Sequence, residues 1–223
     1  MEQYDSSIET LKHIKQVGTY LTMIKDILNN DIETNKDINQ SSDYVTLVDL
    51  LHLLYNGHNI PNYSKMFCDI NNNSLPYKYG VFYTDKDELL SSFIEELDER
   101  MINHDKSKLE EPEKHEFDIY TPRIQEAILG TPMYEYFLKE LKKALRHHYR
   151  YNRHHPEHFG NGMNGMTIMD ITEMLCDWMA TSERHDNSSI YDSIEILSNR
   201  FNYTAPMKKI LSNTCETCFK KSK

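Results

Sequence analysis

The stretch His147-His-Tyr-Arg-Tyr-Asn-Arg-His-His-Pro-Glu-His158 holds five of the eleven histidines of this 223-residue chain. Arg150 and Arg153 lie inside it, and Arg146 directly precedes it. Imidazole is a common protein ligand for transition metals, and guanidinium groups bind anions. The structural alternative is an exposed, partly charged helix end, but packing alone does not require so many titratable rings. The stretch therefore predicts a metal centre.

A helix is predicted to lead into this stretch. Thr131 has the character of an N-cap, with Pro132 at the first helical position, and apolar residues recur at helical spacing as far as about Tyr151. His148 falls within the apolar face, whereas His147 projects roughly 100° away from it. Pro156 ends any continuation of the helix. His148 is therefore the stronger candidate ligand, and His147 is expected to meet substrate or solvent.

The rest of the chain predicts an all-α fold. Apolar spacings of three or four residues predict helices over residues 8–28, 86–108, 167 onward, 190–201 and 207–213. Residues 110–131 are expected to be connecting structure with one short helix. We expect a single domain over residues 1–223. An irregular insertion at about 29–85 would separate the first two core helices and contain a short helix near 44–55 and a strand over 77–83.

Further candidate ligands lie on three of these helices. His13 is about 50° from the middle of its apolar stripe, where a lone histidine is more often a hydrogen-bonded core residue. Extending the helix over 86–108 places His104 and Asp105 on the flanks of its stripe, with Lys108 near the centre. Asp177 shares a face with Asp170, Glu173, Thr181 and Arg184, which helical geometry alone predicts to be solvated and charged.

Three other motifs are not assigned to the metal centre. Asp170 is at the position of a capping-box acid after Thr167. The second His-Asp doublet, His185-Asp186, precedes a turn and is interpreted as a solvated helix end. Cys215 and Cys218 form a lone C-x-x-C pair, which disfavours a structural zinc site.

Composition narrows the classes of partner. The chain has 35 acidic and 25 basic residues and a net charge of −10, which argues against extended nucleic acid as a partner. A small phosphorylated substrate in a locally basic pocket remains compatible with that charge.

No apolar run reaches the roughly 18 residues of a membrane span, and the first residues do not resemble a signal peptide. Four scattered cysteines indicate a cytoplasmic protein. A homo-oligomer stays possible.

Taken together, His13, His104-Asp105 and the distant Asp177 resemble the metal ligands of the HD-domain superfamily of phosphohydrolases. His104-Asp-Lys-Ser-Lys108 is similar to the HD-x-[GS]-K form of that superfamily's central motif. The chain resembles more closely an HD-like family common in bacteria and their phages. That resemblance rests on Leu11–Val17, His104–Glu113, His147–Phe159, Glu173–Trp178 and Ser193–Phe201, and it covers residues 8–28 and 86–213.

The resemblance implies a helical bundle and a metal-dependent phosphohydrolase acting on a nucleotide or another small phosphoester. The implied ligands of the divalent metal (Mn, Co, Ni, Fe, Zn or Mg) are His13, His104, Asp105 and Asp177. His148 and His155 would be second-metal ligands or proton donors, and Lys108 would offset phosphate charge. The expected substrate-binding residues are Arg150, Arg153, His147, Asn152 and Arg184.

Three questions stay open from the sequence. His148, His154, His155 and His158 build either a second metal site or a substrate pocket. The chain could also bind a nucleotide or a partner protein without catalysis, as a regulatory or defence-related module. An HD-type di-iron oxygenase is a third possibility.

Overall fold

A computed structural model describes residues 4–30, 45–55, 77–78, 81–82, 86–127, 131–184 and 189–219. The described chain is all-α apart from one antiparallel pair of two-residue strands, Tyr77–Lys78 (β1) and Val81–Phe82 (β2). The helices are α1 (Ser6–Asn30), α2 (Leu47–Tyr55), α3 (Lys86–Asn103), α4 (Glu113–Glu126), α5 (Pro132–Tyr151), α6 (Ile168–Ser182), α7 (Ile190–Phe201) and α8 (Ala205–Cys218). None of them combines the length and apolar composition that a membrane-spanning segment requires.

Several helices begin where the sequence predicts. The Thr131 side chain accepts a hydrogen bond from the Tyr134 amide, and Pro132 occupies the first turn of α5. At α6, Thr167 and Asp170 form a reciprocal capping box. These side chains satisfy amide groups that the first helical turn leaves without partners. Local sequence signals therefore fix the starts of the two helices that frame the histidine-rich stretch.

The core lies between α1 and α6, which pack against each other. Val17, Leu21, Ile24 and Leu28 of α1 are fully buried, as are Ile171, Met174 and Leu175 of α6. α3 packs on α1, α4 packs on α5, and α7 packs on α8. Since α1 and α6 are central, polar side chains on their inner faces are buried together.

Part of the predicted insertion belongs to this core. α2 confirms the short helix expected near 44–55, and its residues Leu47, Leu50 and Leu51 are fully buried. The Leu47 amide donates to Thr214 Oγ1 in α8 at 2.9 Å. Burying one leucine side chain stabilises a fold by about 1.5–3 kcal/mol. The predicted insertion therefore contributes α2 to the core, and the strand predicted over 77–83 is instead the β1–β2 pair.

The chain leaves the helical path at the His-Asp doublet. α3 ends at Asn103, and Asp105 has a left-handed backbone with φ 54° before a 3₁₀ helix over Lys106–Leu109. The prediction that one helix continues through residue 108 is wrong, because a left-handed residue cannot extend a right-handed helix. The connecting segment also contains more helix than predicted, since α4 runs for 14 residues through Pro122.

Candidate metal centre

Four parts of the fold direct histidine and carboxylate side chains into one buried space. α1 contributes one histidine, the turn after α3 contributes the His-Asp doublet, and α6 contributes an aspartate. The end of α5 and the loop after it contribute three more histidines. The residues are His13, His104, Asp105, His148, His154, His155 and Asp177.

The first group of donors is the set predicted from the HD resemblance. His13 Nε2 lies 2.7 Å from Asp177 Oδ1 and 3.7 Å from Asp105 Oδ2. His104 Nε2 lies 3.8 Å from the same Asp105 oxygen. The structure thus brings together all four predicted ligands from distant parts of the sequence. Asp177 is nearly buried, so the alternative of a solvated charged face does not hold for it.

The second group of donors surrounds the other oxygen of Asp105. His148 Nε2 lies 3.2 Å from Asp105 Oδ1, and His154 Nε2 lies 3.4 Å from it. His155 Nε2 lies 2.9 Å from His148 Nε2. His158 is not part of the group, because its Nδ1 donates to the Tyr149 carbonyl. Asp105 therefore stands between two groups of donors, with one oxygen towards each.

These donors fit a divalent metal. Two ligands about 2.1 Å from one metal, at tetrahedral or octahedral angles, are about 3.0–3.4 Å apart. The distances around Asp105 Oδ1 fall close to that range. His104 Nε2, His154 Nε2 and Asp105 Oδ1 are also buried without a hydrogen-bond partner among the described residues. Buried polar atoms without partners are costly, and cations bound in the two donor groups would satisfy all three.

The charge of the site favours a cation. Burial opposes ionisation of Asp105, but Lys108 and His104 hold the pKa of its carboxyl well below the usual range. Burial likewise opposes protonation of His154, yet Glu173 and Asp105 raise the pKa of that ring to about 10. A metal ion that binds the His154 ring therefore has to displace a proton that the raised pKa holds more tightly.

Lys108 lies at the edge of the centre. Its Nζ is 2.6 Å from Asp105 Oδ2, and 24% of its side chain is exposed. Burial opposes the charge, but Asp105 and Asp177 raise the pKa of the ammonium group. Lys108 is therefore a fixed cation that touches the centre and solvent together.

The residues predicted to bind substrate lie in different surroundings. His147 is one-third exposed and contacts Glu113 Oε1 at 2.7 Å. Arg150 is exposed and lies near the Tyr151 ring. Arg184 is exposed, and its charge acts on Lys108. Their substrate contacts stay predictions.

Two of the predicted substrate residues are engaged within the protein. Arg153 is half-exposed, but Nε and Nη2 donate to the two oxygens of Asp170 at 3.1 and 2.9 Å. Asn152 is buried and donates to Ser107 Oγ and to the His148 carbonyl, each at 2.8 Å. Both side chains therefore fix the loop that carries His154 and His155.

Comparison with known proteins gives one match. The model of a family of unknown function, DUF5662, matches residues 87–221. The chain belongs to this family. No curated protein and no solved structure matches the chain. The DUF5662 match says nothing about activity, so the HD resemblance stays a prediction.

The DUF5662 region contains every candidate ligand except His13, and it also contains two carboxylates that sequence reasoning did not assign to the centre. Glu113 Oε2 lies 2.9 Å from His148 Nδ1, and Glu173 Oε1 lies 2.8 Å from His104 Nδ1. Carboxylates at this position fix the orientation of a metal-binding imidazole. Glu173 is three residues from Asp170 and four from Asp177, which is the one sequence signal that could have indicated its role.

Proposed function

We propose that the protein is a metal-dependent phosphohydrolase that acts on a small phosphoester such as a nucleotide. The observation that carries the proposal is the position of Asp105, which turns one oxygen towards His13 and His104 and the other towards His148 and His154. A carboxylate shared in this way is suited to bridge two divalent ions. Pairs of ions clamp the attacking and leaving oxygens in phosphoryl transfer.

A bound divalent metal would supply Lewis acidity towards a phosphoryl oxygen and activate water at neutral pH. The chain's own residues hold and orient the reactants. His13, His104, Asp105 and Asp177 would hold the first metal ion. His148, His154 and His155 would hold the second, and this assignment gives His148 and His155 the role of ligands in place of proton donors.

Lys108 would act on the substrate itself. Its ammonium group is already at the edge of the centre and keeps its charge. A fixed cation beside the reacting phosphoryl group offsets the charge that develops in the transition state. Arg184, whose charge acts on Lys108, extends this positive edge. Two cations at the edge of the centre can attract a small anion. The net charge of −10 on the whole chain disfavours a nucleic-acid strand, which would contact a larger surface.

The test is a hydrolysis assay with a panel of nucleotides and small phosphoesters, using protein loaded in turn with Mn²⁺, Co²⁺, Ni²⁺, Fe²⁺, Zn²⁺ and Mg²⁺. We expect phosphate or nucleoside release that disappears with chelator and in Asp105→Ala protein. If every bound ligand is recovered unchanged, the protein is a non-catalytic binding module and the hydrolysis proposal is wrong. Turnover that requires iron and oxygen would identify an oxygenase.

A further inference from the structure

One carboxylate of α6 contacts histidines of both donor groups. Glu173 Oε1 lies 2.8 Å from His104 Nδ1 and 3.2 Å from His154 Nδ1. The far nitrogen of each ring, Nε2, is buried and has no hydrogen-bond partner among the described residues. Each imidazole is thus held on one side by the same carboxylate and has its other nitrogen towards the centre. His104 belongs to the first donor group and His154 to the second.

Glu173 could in principle bind a metal itself, since it is grouped closely with the two histidines. Its other oxygen argues against that role. Oε2 accepts a hydrogen bond from Arg100 Nη1 at 2.7 Å, and a guanidinium group in this position repels a divalent cation. Arg100 also donates to Asp170 Oδ1 at 2.9 Å, and Asp170 is clamped by Arg153, the neighbour of His154. Glu173 is therefore an anchored hydrogen-bond acceptor.

We propose that Glu173 is a positioning residue that sets His104 and His154 together for metal binding, and so couples the two halves of the centre. As an acceptor, it keeps the proton of each ring on Nδ1 and leaves the Nε2 lone pair free for a metal. Within the centre, Glu113 does the same for His148 alone, because its other partners, His147 and Ser107, are outside both donor groups. This inference rests on the metal centre of the proposed function.

The matched pair of variants is Glu173→Gln and Glu113→Gln. Both changes keep the size of a buried side chain and remove the charge that accepts the imidazole proton. Titration with Co²⁺, followed by calorimetry and by the visible absorption of bound Co²⁺, should show two binding steps in the wild-type protein. Glu173→Gln should weaken both steps by about 10- to 100-fold, whereas Glu113→Gln should weaken one. Equal weakening by the two variants, or loss of one step alone in Glu173→Gln, would overturn the coupling.

A second measurement does not depend on the folding of a variant. In wild-type protein loaded with Zn²⁺, ¹⁵N spectra of the histidine rings report which nitrogen carries the proton. His104 and His154, assigned from His→Gln spectra, should both carry it on Nδ1. A proton on Nε2 of either ring would overturn the proposal.

These measurements separate the inference from the hydrolysis. If the protein binds Co²⁺ in two steps but hydrolyses nothing, the proposed activity is overturned. The Co²⁺ titration of Glu173→Gln protein then decides the role of Glu173 by itself. Normal hydrolysis with unchanged Co²⁺ affinities in folded Glu173→Gln protein would overturn the inference alone. Wild-type protein that binds no divalent metal would overturn both.

Discussion

At the scale of single residues, the backbone conformation of Asp105 and its side chain both determine the geometry of the candidate centre. Its left-handed backbone ends the helical path after α3, and its buried carboxylate then lies between five histidines. Positive φ costs about 1–2 kcal/mol for a residue other than glycine. Strain of this size persists where surrounding contacts hold it, as Lys108 and the histidines do here.

The first prediction concerns His148→Gln. Glutamine keeps a polar side chain of similar size but binds borderline metals poorly. Turnover at saturating substrate should fall by about a hundredfold or more, because losing a ligand costs at least as much as losing a residue that orients one, and one Co²⁺-binding step should weaken. The free energy of unfolding of the metal-free protein should change by only about 1 kcal/mol. A variant with normal turnover and a much lower melting temperature would make His148 a structural residue.

Lys108→Met supplies the second prediction. Methionine keeps most of the apolar stem but removes the cation beside Asp105. We expect kcat to fall by roughly 10²-fold or more, the scale for losing one transition-state donor. Metal affinity should be unchanged or higher, because an ammonium group no longer competes for the Asp105 oxygen. Calorimetry with Co²⁺ beside steady-state kinetics measures both, and a parallel loss of metal and turnover would contradict the assignment.

At this scale the sequence indicates the candidate ligands of the buried cluster, but not the carboxylates that contact them. His13, His104, Asp105 and Asp177 were identified by resemblance, and His148 by its place in an apolar face. Glu113 and Glu173 were missed because a glutamate on a helix is ordinarily solvated, and only tertiary packing buries these two. Arg153 and Asn152 look like substrate contacts in the sequence, yet the structure engages both in holding the loop.

At the scale of elements, α6 contributes both to the core and to the polar contacts around the candidate centre. Asp170, Glu173 and Asp177 occupy successive turns and face α1, α3 and the histidine loop, while the apolar residues of α6 fill the core. The Asp170 side chain has no exposed surface, and its carboxylate accepts hydrogen bonds from Arg100, Arg153 and the Thr167 amide. This ion network connects the start of α6 to α3 and to the loop after α5.

Asp170→Asn tests that network. Removing one partner of a buried ion pair costs about 3–5 kcal/mol, and the lower end applies because Arg100 keeps Glu96 and Glu173. Burial opposes ionisation, but Arg100 and Arg153 hold the pKa of the Asp170 carboxyl below its usual 3.8. Its stabilising effect is therefore complete above about pH 4 and is lost as the pH falls through the lower folded-state pKa.

Urea unfolding of metal-free protein at pH 7 and pH 3 measures this effect. The difference between wild type and Asp170→Asn should be smaller at pH 3. Asp98→Asn is the control, since Asp98 pairs with Lys25 at the surface and is 44% exposed; its loss should cost less than about 1 kcal/mol. An equal cost for the two substitutions would show that the network contributes little.

Helix positions were largely predictable because caps and apolar spacing are local signals. α1, α5 and α7 begin and end within a few residues of the expectation, and α6 begins within one residue of its predicted start. The end of α3 was missed because His104 and Asp105 continue its apolar spacing, and nothing in that spacing encodes a left-handed residue. The length of α4 is not evident from the sequence because Pro112 and Pro122 are typical helix breakers, whereas Pro112 directly precedes the helix and Pro122 is tolerated within it.

For the whole molecule, a metal centre would join elements that are distant in sequence. Its ligands come from α1, the turn after α3, the end of α5 with its loop, and α6. The sequence could not predict that convergence from spacing, since His13 and Asp105 are separated by the segment that contains α2. The burial of α2 against α8 shows that part of this segment contributes to the same core.

Linkage between binding and folding gives the prediction at this scale. Each metal ion, at a hundred times its dissociation constant, should stabilise the fold by about 2.7 kcal/mol, which for a chain of this size raises Tm by roughly 5–10 °C per ion. Chelator should reverse the shift, and Asp105→Ala protein should show none. A shift of the same size in Asp105→Ala protein would indicate that metal binds elsewhere.

The most direct test of the central claim is the metal content of the purified protein, measured by elemental analysis after loading and desalting. We expect two divalent ions per chain in the wild type and in His115→Ala, which removes an exposed histidine of α4. We expect almost none in Asp105→Ala protein that is still folded. The same metal content in all three proteins, or none in the wild type, would contradict the existence of this centre.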